Sequence, residues 1–508
     1  MKRLLGTWNK EGENDPKVAE LIFDGNSIEF YRRDYGEIFP CAFVGGDGEH
    51  QYKIFTKGNC VKGINKTLEL SSNYRVFYVL QQNEKFDKGL EITGIEEVSF
   101  IIPELIEWLN INTVSIGATE NKELIACECK YPALVLKDTN PHIEIQFESE
   151  SFTKYHDIDM RTTFVLKNQP RIFINYENTV DVARVQNDLE TIMEFWGLLI
   201  GHVSVVEDIR LKIANQDVKS WLYINQDYSY NLRNRSLMDK PRTTFEKVDE
   251  KINQYFTNWY DFCNEEKFDF IRKRFFSANA DKNIFAEDIL VEYVRIIEGY
   301  HLRITGDEKI SDELRDALKI VEKDIKKLIF SDDSKPLFTE ALEKAVPDWK
   351  YTSGHAAEIA HWISSGYLGK VGLDQRIKEL DQRFGSVIAK NAIHILQLSS
   401  DKTNTKDKKE TELINGFYRK IVATRNYYSH YKNDKRNVLE FCQMNETINV
   451  LKALLVMILY SHMGIDKETI RKIMAGDSEL HFQTGCLMTQ DDIKKEEKSK
   501  ESSADEIQ

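Results

Sequence analysis

A chain of 508 residues is too long for one ordinary core and predicts two or three compact units. Hydrophobic residues at 41% and charged residues at 30% are values of folded proteins and exclude wholesale disorder. A net charge of −14 argues against a protein that coats nucleic acid or anionic membrane by bulk charge, and leaves room only for a local basic site. The acidity is uneven: residues 1–280 carry about ten excess acidic groups, whereas residues 281–465 hold 28 basic against 28 acidic groups. A polyanion meets least repulsion in that second stretch. Seven scattered cysteines, an odd number, do not form a disulfide framework. Cys127 and Cys129 fit alternation in an apolar strand better than metal ligation. The N-terminus has no sustained apolar segment of the kind a signal peptide needs. The longest apolar stretch, near 450–460, is interrupted by Lys452 and falls short of the ~18 residues of a membrane span. A cytoplasmic, reducing-compartment protein is expected.

In chain order, residues 1 to about 178 are predicted to be β-rich. Strands at 21–23 and 28–30 flank the turn signal Asp24-Gly-Asn-Ser27. Further strands are predicted at 74–80, 143–147, 163–166 and 171–176, with one short helix around 103–109, as in a sandwich or barrel-like unit. The period then changes. Val182, Val185, Leu189, Ile192, Met193 and Trp196 follow helical spacing, with Gly201 as the stop. Beyond about 245 almost everything is helical, over 249–274, 285–303, 312–330, 356–368, 375–390, 412–430 and 437–462. Trp196, Trp259, Trp349 and Trp362 fit core positions. The tail beyond about 490 is poor in apolar residues and is predicted to be disordered. The fold class is therefore α+β, a β-rich N-terminal domain followed by a C-terminal all-α bundle.

One constellation carries chemistry. Arg425-Asn426-Tyr427-Tyr428-Ser429-His430 lies near the end of a predicted helix. Between Tyr418 and Arg436 there are six basic groups (Arg419, Lys420, Arg425, Lys432, Lys435, Arg436) against one acidic, Asp434. Tyr418, Tyr427, Tyr428 and Tyr431 are interleaved and could stack on unpaired bases. This set suits phosphodiester cleavage in RNA, where the 2′-OH is the nucleophile and neither metal nor protein nucleophile is required. Histidine supplies proton transfer near neutral pH. The guanidinium fork of arginine stabilises the extra charge on the phosphorane, and an adjacent amide holds an oxygen. Basic residues near a helix C-terminus also compensate the helix dipole, which is the plainer reading. Five positions at about 100° place Arg425 and His430 roughly 140° apart on an ideal helix. They converge only if the helix ends between them or if a second copy completes the site.

Arg425-x4-His430, preceded by Ile421-Val-Ala, resembles the signature of the HEPN superfamily, in particular its ApeA-like branch. Val294-Arg-Ile-Ile-Glu298-Gly-Tyr-His301 is similar to the first bundle helix of that family, and Gly372-Leu-Asp-Gln-Arg-Ile-Lys-Glu-Leu precedes the motif helix as expected. Leu5-Gly-Thr-Trp8 and Glu104-Leu-Ile-Glu-Trp108-Leu resemble the ApeA N-terminal domain. The resemblance implies an ApeA-like sensor or regulatory domain over 1–255, a HEPN-like bundle with ribonuclease activity over 280–465, and a short helix with a charged tail over 466–508. It implies a homodimer or higher homo-oligomer and metal-independent cleavage of host RNA, often tRNA, in anti-phage abortive infection, with no cofactor and with a phage-derived trigger. Arg425 and His430 carry over as catalytic and Asn426 as supporting. Arg419, Lys420, Tyr427, Tyr428, Tyr431, Lys432, Lys435 and Arg436 are the expected RNA contacts. The alternative is a non-catalytic RNA- or protein-binding scaffold. Related HEPN proteins carry Arg-x4-His-x-Tyr with a modified tyrosine; Lys432 stands there in this chain.

Two i, i+3 pairs, Glu298 with His301 and Glu358 with His361 (His355 nearby), have metal-ligand spacing, but bundle-facing helix surfaces account for them better. Glu298 has a further reading, as a carboxylate that orients Arg425. No phosphate-loop, His-Glu-x-x-His or Gly-x-Ser-x-Gly motif is present, which removes nucleotide-driven, zinc-protease and serine-hydrolase chemistry.

Overall fold

The computed structural model describes residues 2–10, 15–24, 27–32, 41–46, 50–65, 69–82, 93–111, 114–118, 124–128, 130–156, 161–201, 206–216, 220–224, 242–280, 285–305, 372–399, 409–430 and 437–477, with 320, 323, 324, 327, 480 and 483. The chain divides into two compact units, Met1–Asn283 with Val456–Gln508, and Ile284–Leu455.

The first unit is built on an antiparallel sheet. Strands β1 (Lys2–Lys10), β2 (Lys17–Asp24), β3 (Ser27–Arg32), β4 (Cys41–Gly46), β5 (Gln51–Asn65) and β6 (Glu69–Gln82) run in the order β6-β3-β2-β1-β4-β5, and β5 pairs back onto β6. That return closes a ring, the barrel-like one of the two arrangements, sandwich or barrel, that the strand spacing leaves open. Strict alternation in β3 turns Ile28, Phe30 and Arg32 inward. Trp8, Phe30, Phe43, Tyr52 and Ile54 belong to one buried cluster. Gly45 lies flat against the Trp8 indole: a Cβ there would fall 2.4 Å from Trp8 Cδ2.

The sheet continues from β6 through β14 (Ser220–Ile224), β13 (Glu207–Ile213), β7 (Ile95–Ile101), β12 (Arg161–Val180), β11 (His142–His156) and β10 (Leu134–Lys137). A separate hairpin joins β8 (Val114–Ala118) to β9 (Leu124–Glu128), which carries Cys127; Cys129 lies outside the described residues. Two strands were expected at 163–166 and 171–176, but β12 is one strand. Its Pro170 sits just outside the stretch paired with β7, an edge position that tolerates a missing N–H.

Helix α1 (Glu104–Leu109) and helix α2 (Val182–Ile200) cover this sheet region with apolar surface. Asp181 caps α2 by accepting from Arg184 N, and Gly201 ends it with φ +90°. Trp108 and Trp196 meet edge to face, and Trp259 Nε1 donates to Thr191 O, so these tryptophans are core. The predicted helix 249–274 is two helices, α3 (Ile252–Asn264) and α4 (Glu266–Ala280), because Glu265 is extended between them. Two buried carboxylates of α2 tie the layer together. Asp188 accepts from Tyr176, Tyr260 and Arg184, and Glu194 pairs with Arg272 at 2.6 Å.

In the second unit, α5 (Ala286–Thr305) buries Leu290, Val294, Ile297 and Tyr300. The helix predicted over 375–390 is also two, α6 (Leu373–Arg383) and α7 (Val387–Gln397). Gly385 and Ser386 both take positive φ, +103° and +63°, which no continuous helix accommodates. Helix α8 (Glu410–His430) follows. Helix α9 (Phe441–His462) begins four residues later than the predicted 437. Of the predicted helices at 312–330 and 356–368, only isolated residues of the former are described; Trp349, Glu358, His355, His361 and Trp362 lie outside the described residues.

Helix α9 crosses the division between units. It is long and apolar enough to span a membrane by length and composition, yet 72% of its apolar window is buried within the protein. It is the core helix of a folded chain. Its end and helix α10 (Lys467–Gly476) belong to the first unit, where Tyr460 donates to Leu198 O, Asn258 donates to Met463 O, and buried Arg242 pairs with buried Asp477 at 2.6 Å. The bundle expected over 280–465 runs past Val456, from which the chain groups with the β-rich unit.

Candidate active site

Helix α8 buries Phe417, Tyr418, Ile421 and Thr424, positions that repeat at helical spacing and face α5, α6 and α7. Its register is pinned by an internal acid. Asp381, fully buried at the end of α6, accepts from Ile388 N (2.8 Å) and Ala389 N (3.0 Å) at the start of α7 and from the Tyr418 hydroxyl (2.6 Å). One carboxylate thus satisfies the orphan amides of one helix and anchors another. Burial, together with the adjacent Asp381, pushes the Tyr418 phenol up, so it stays a neutral donor. The expectation that Tyr418 is available to stack on a base is therefore corrected: it is core.

At its other end Thr424 accepts from Leu439 N at 2.8 Å, and Lys420 donates to Gln443 at 2.8 Å, tying α8 to α9. Burial lowers the Lys420 ammonium below the usual lysine range. Its charge is committed inside the bundle, whereas Arg419 is exposed.

Arg425 sits one position beyond that buried face and is partly exposed. Its Nη2 donates to Glu298 Oε2 at 3.3 Å and its Nη1 donates to Asn426 Oδ1 at 3.0 Å. The structure therefore brings together Arg425, Asn426 and Glu298, the last from a helix 127 residues upstream. His301, one turn beyond Glu298 on α5, turns to a different partner: its Nε2 lies 2.8 Å from Glu379 Oε2 on α6. The Glu298/His301 pair thus shares no ligand. Among the described residues no group of three or more His, Cys, Asp or Glu could hold a metal ion.

His430 is the last residue of α8 and is exposed. The helix runs unbroken from Arg425 through His430, so the first way they could converge, a helix end between them, does not occur. Tyr427 and Tyr428 are half-buried and meet edge to face at 5.0 Å; burial and the nearby Glu287 raise the Tyr428 phenol. Tyr431, Lys432, Lys435 and Arg436 lie outside the described residues.

Ser429 was not among the sequence-predicted site residues. It is four positions from Arg425 and hence on the same helix face, the spacing that could have singled it out. Its Oγ and Arg425 Nε are both closed to water and without a hydrogen-bond partner.

Residues 291–469 match the Apea-like HEPN family model and residues 3–259 match ApeA N-terminal domain 1, the latter alone covering more than half of the chain. Neither the curated proteins nor the solved structures contain a match. With the β-rich unit under one match and the motif helix under the other, the chain belongs to the ApeA-like HEPN family, a nuclease-associated family of anti-phage defence.

Proposed function

We propose that this protein is a metal-independent endoribonuclease that cuts host RNA, with tRNA the expected substrate, in abortive anti-phage defence. The observation that carries the reading is the Arg425 guanidinium, held beside Asn426 and Glu298 on the helix whose last residue is the exposed His430. A planar fork on a semi-rigid mount is what stabilising a pentacovalent phosphate requires, and an exposed imidazole is a group that can pass a proton to or from bound RNA. His430 acts as base toward the 2′-OH or as acid toward the leaving 5′-oxygen. The products are then a 2′,3′-cyclic phosphate and a 5′-OH. Arg419, Tyr427 and Tyr428 guide the strand, together with the basic residues at 432–436. The β-rich unit senses a phage-derived trigger and restrains the nuclease.

A second reading draws on the roughly 140° between Arg425 and His430 on one continuous helix: a chain acting alone would dock RNA or a protein partner without cutting it. Incubating the purified protein with total bacterial RNA in EDTA, then mapping new ends, separates the two. New 5′-OH ends made by the wild type and not by His430→Ala support the nuclease. Binding without new ends favours the scaffold, and a strict Mg²⁺ requirement removes the 2′-OH mechanism.

A further inference from the structure

A hydroxyl inside a helix has a default partner, the carbonyl four residues back. In the second unit Thr305, Thr424 and Thr447 each take it, donating to His301 O, Lys420 O and Gln443 O at 2.7, 2.8 and 2.7 Å. Ser429 does not. Its Oγ makes no hydrogen bond, although water cannot reach it. One turn earlier on the same face, Arg425 shows the same deficit: Nη1 and Nη2 have acceptors, and Nε, equally closed to water, has none. A polar group closed to water and left without a partner is destabilising. Two of them, neighbours at i, i+4 beside the motif, leave two donors for which the described residues supply no acceptor.

We propose that Ser429 is a phosphate-holding residue: its hydroxyl and Arg425 Nε together take the oxygens of one RNA phosphodiester. The inference rests on the nuclease reading above and adds to it a residue and a geometry. Donor chemistry points to an anion with more than one acceptor oxygen, because both Nε–H and Oγ–H donate and the adjacent guanidinium is positive. A phosphodiester has two non-bridging oxygens and one negative charge. Entry requires the guanidinium to swing away from Glu298. At 3.3 Å that contact is longer than the 2.7–2.9 Å of a strong charge-assisted bond, which makes it the weaker hold to give up for a phosphate. In the resting chain Glu298 keeps the charge compensated; in the loaded site phosphate takes that role and satisfies Nε and Oγ as well.

Three variants of the full chain test this: Ser429→Ala, Ser429→Thr and Arg425→Ala. They are compared with wild type for melting temperature, cleavage of RNA, and affinity for a non-cleavable 2′-O-methyl RNA oligonucleotide across a salt series. Removing a hydroxyl that has no partner leaves the melting temperature of Ser429→Ala unchanged or raised. Its affinity and cleavage fall roughly tenfold, the worth of about one hydrogen bond. Its salt slope matches wild type because no charge is lost, whereas Arg425→Ala flattens the slope by about one phosphate contact. Ser429→Thr, which keeps the hydroxyl, recovers most of the loss. Wild-type binding and cleavage by Ser429→Ala would overturn the proposal. So would a lowered melting temperature accompanying the loss, which would mean the hydroxyl supports the fold, and so would failure of Ser429→Thr to recover. If wild type itself neither binds nor cuts RNA, the nuclease reading fails first and this inference goes with it.

Discussion

Arg425 shows how much one residue draws on the rest of the chain. Its backbone is placed by Tyr418 and Ile421 in the bundle, its charge is compensated from α5, and its Nε is buried without a hydrogen-bond partner. Arg425→Lys keeps the charge but loses the planar fork. We expect cleavage to drop at least a hundredfold with the melting temperature within a degree or two, since oxyanion-type donors are worth about that much. Near wild-type rates for the lysine variant would show that the fork does not act. The motif was legible in the sequence because Arg425, Asn426 and His430 are contiguous and carry distinctive chemistry. Glu298 was legible only as one candidate, because nothing local announces a partner 127 residues away. Ser429 has no charge to announce it; its spacing from Arg425 puts it on the motif face, and the absence of its expected helical bond marks it.

Among elements, the bundle depends on breaks the periodicity did not reveal. Apolar spacing runs straight through 375–390, and the helix nevertheless stops where Gly385 and Ser386 take positive φ. Asp381 then turns that break into an anchor for α8. Asp381→Ala strands two amides and the Tyr418 hydroxyl in the core, and we expect it to lower stability by about 3 kcal/mol or to prevent folding, as read by denaturant unfolding. A loss under 1 kcal/mol would mean these groups find other partners. Helix α10 offers a milder, pH-dependent case. Asp466 accepts from Thr469 N and Glu468 N at its N-terminus, and these hydrogen bonds hold its carboxyl below the usual aspartate range. A carboxyl depressed in the folded state contributes stability above its unfolded pKa, near 4, and that contribution is lost as pH falls through the folded value. Protection factors of the α10 amides, with the slower intrinsic exchange in acid divided out, should therefore fall as pH drops, and Asp466→Asn should show less of that dependence. The strands were more legible than the breaks. The turn signal Asp24-Gly-Asn-Ser27 predicts β2 and β3 and alternation predicts the start of β11, whereas β12 is split in the sequence because Asn168-Gln-Pro170 has the composition of a turn.

For the whole molecule, the sequence divided the chain where strand signals end, but α9 and α10 do not respect a single cut. The apolar face of α9 from Val456 onward is buried in the β-rich unit, where Tyr460 reaches Leu198 O. A fragment of residues 280–465 would therefore expose Met457, Tyr460 and Met463. We expect it to aggregate, as seen by light scattering, rather than to act as an unrestrained nuclease. A monodisperse, more active fragment would show instead that the β-rich unit only restrains. Assembly is the larger question, because Arg425 and His430 lie roughly 140° apart on a helix continuous through His430. We propose that two copies related by a two-fold axis form the site, each presenting arginine to the other's histidine. The most direct test mixes two inactive full-length proteins, Arg425→Ala and His430→Ala, and measures cleavage of RNA in EDTA. A composite site predicts that activity returns on mixing, up to about a quarter of wild type, because half of the dimers are mixed and each holds one intact arginine–histidine combination. A mixture of co-assembled chains that stays as inactive as either protein alone would contradict it.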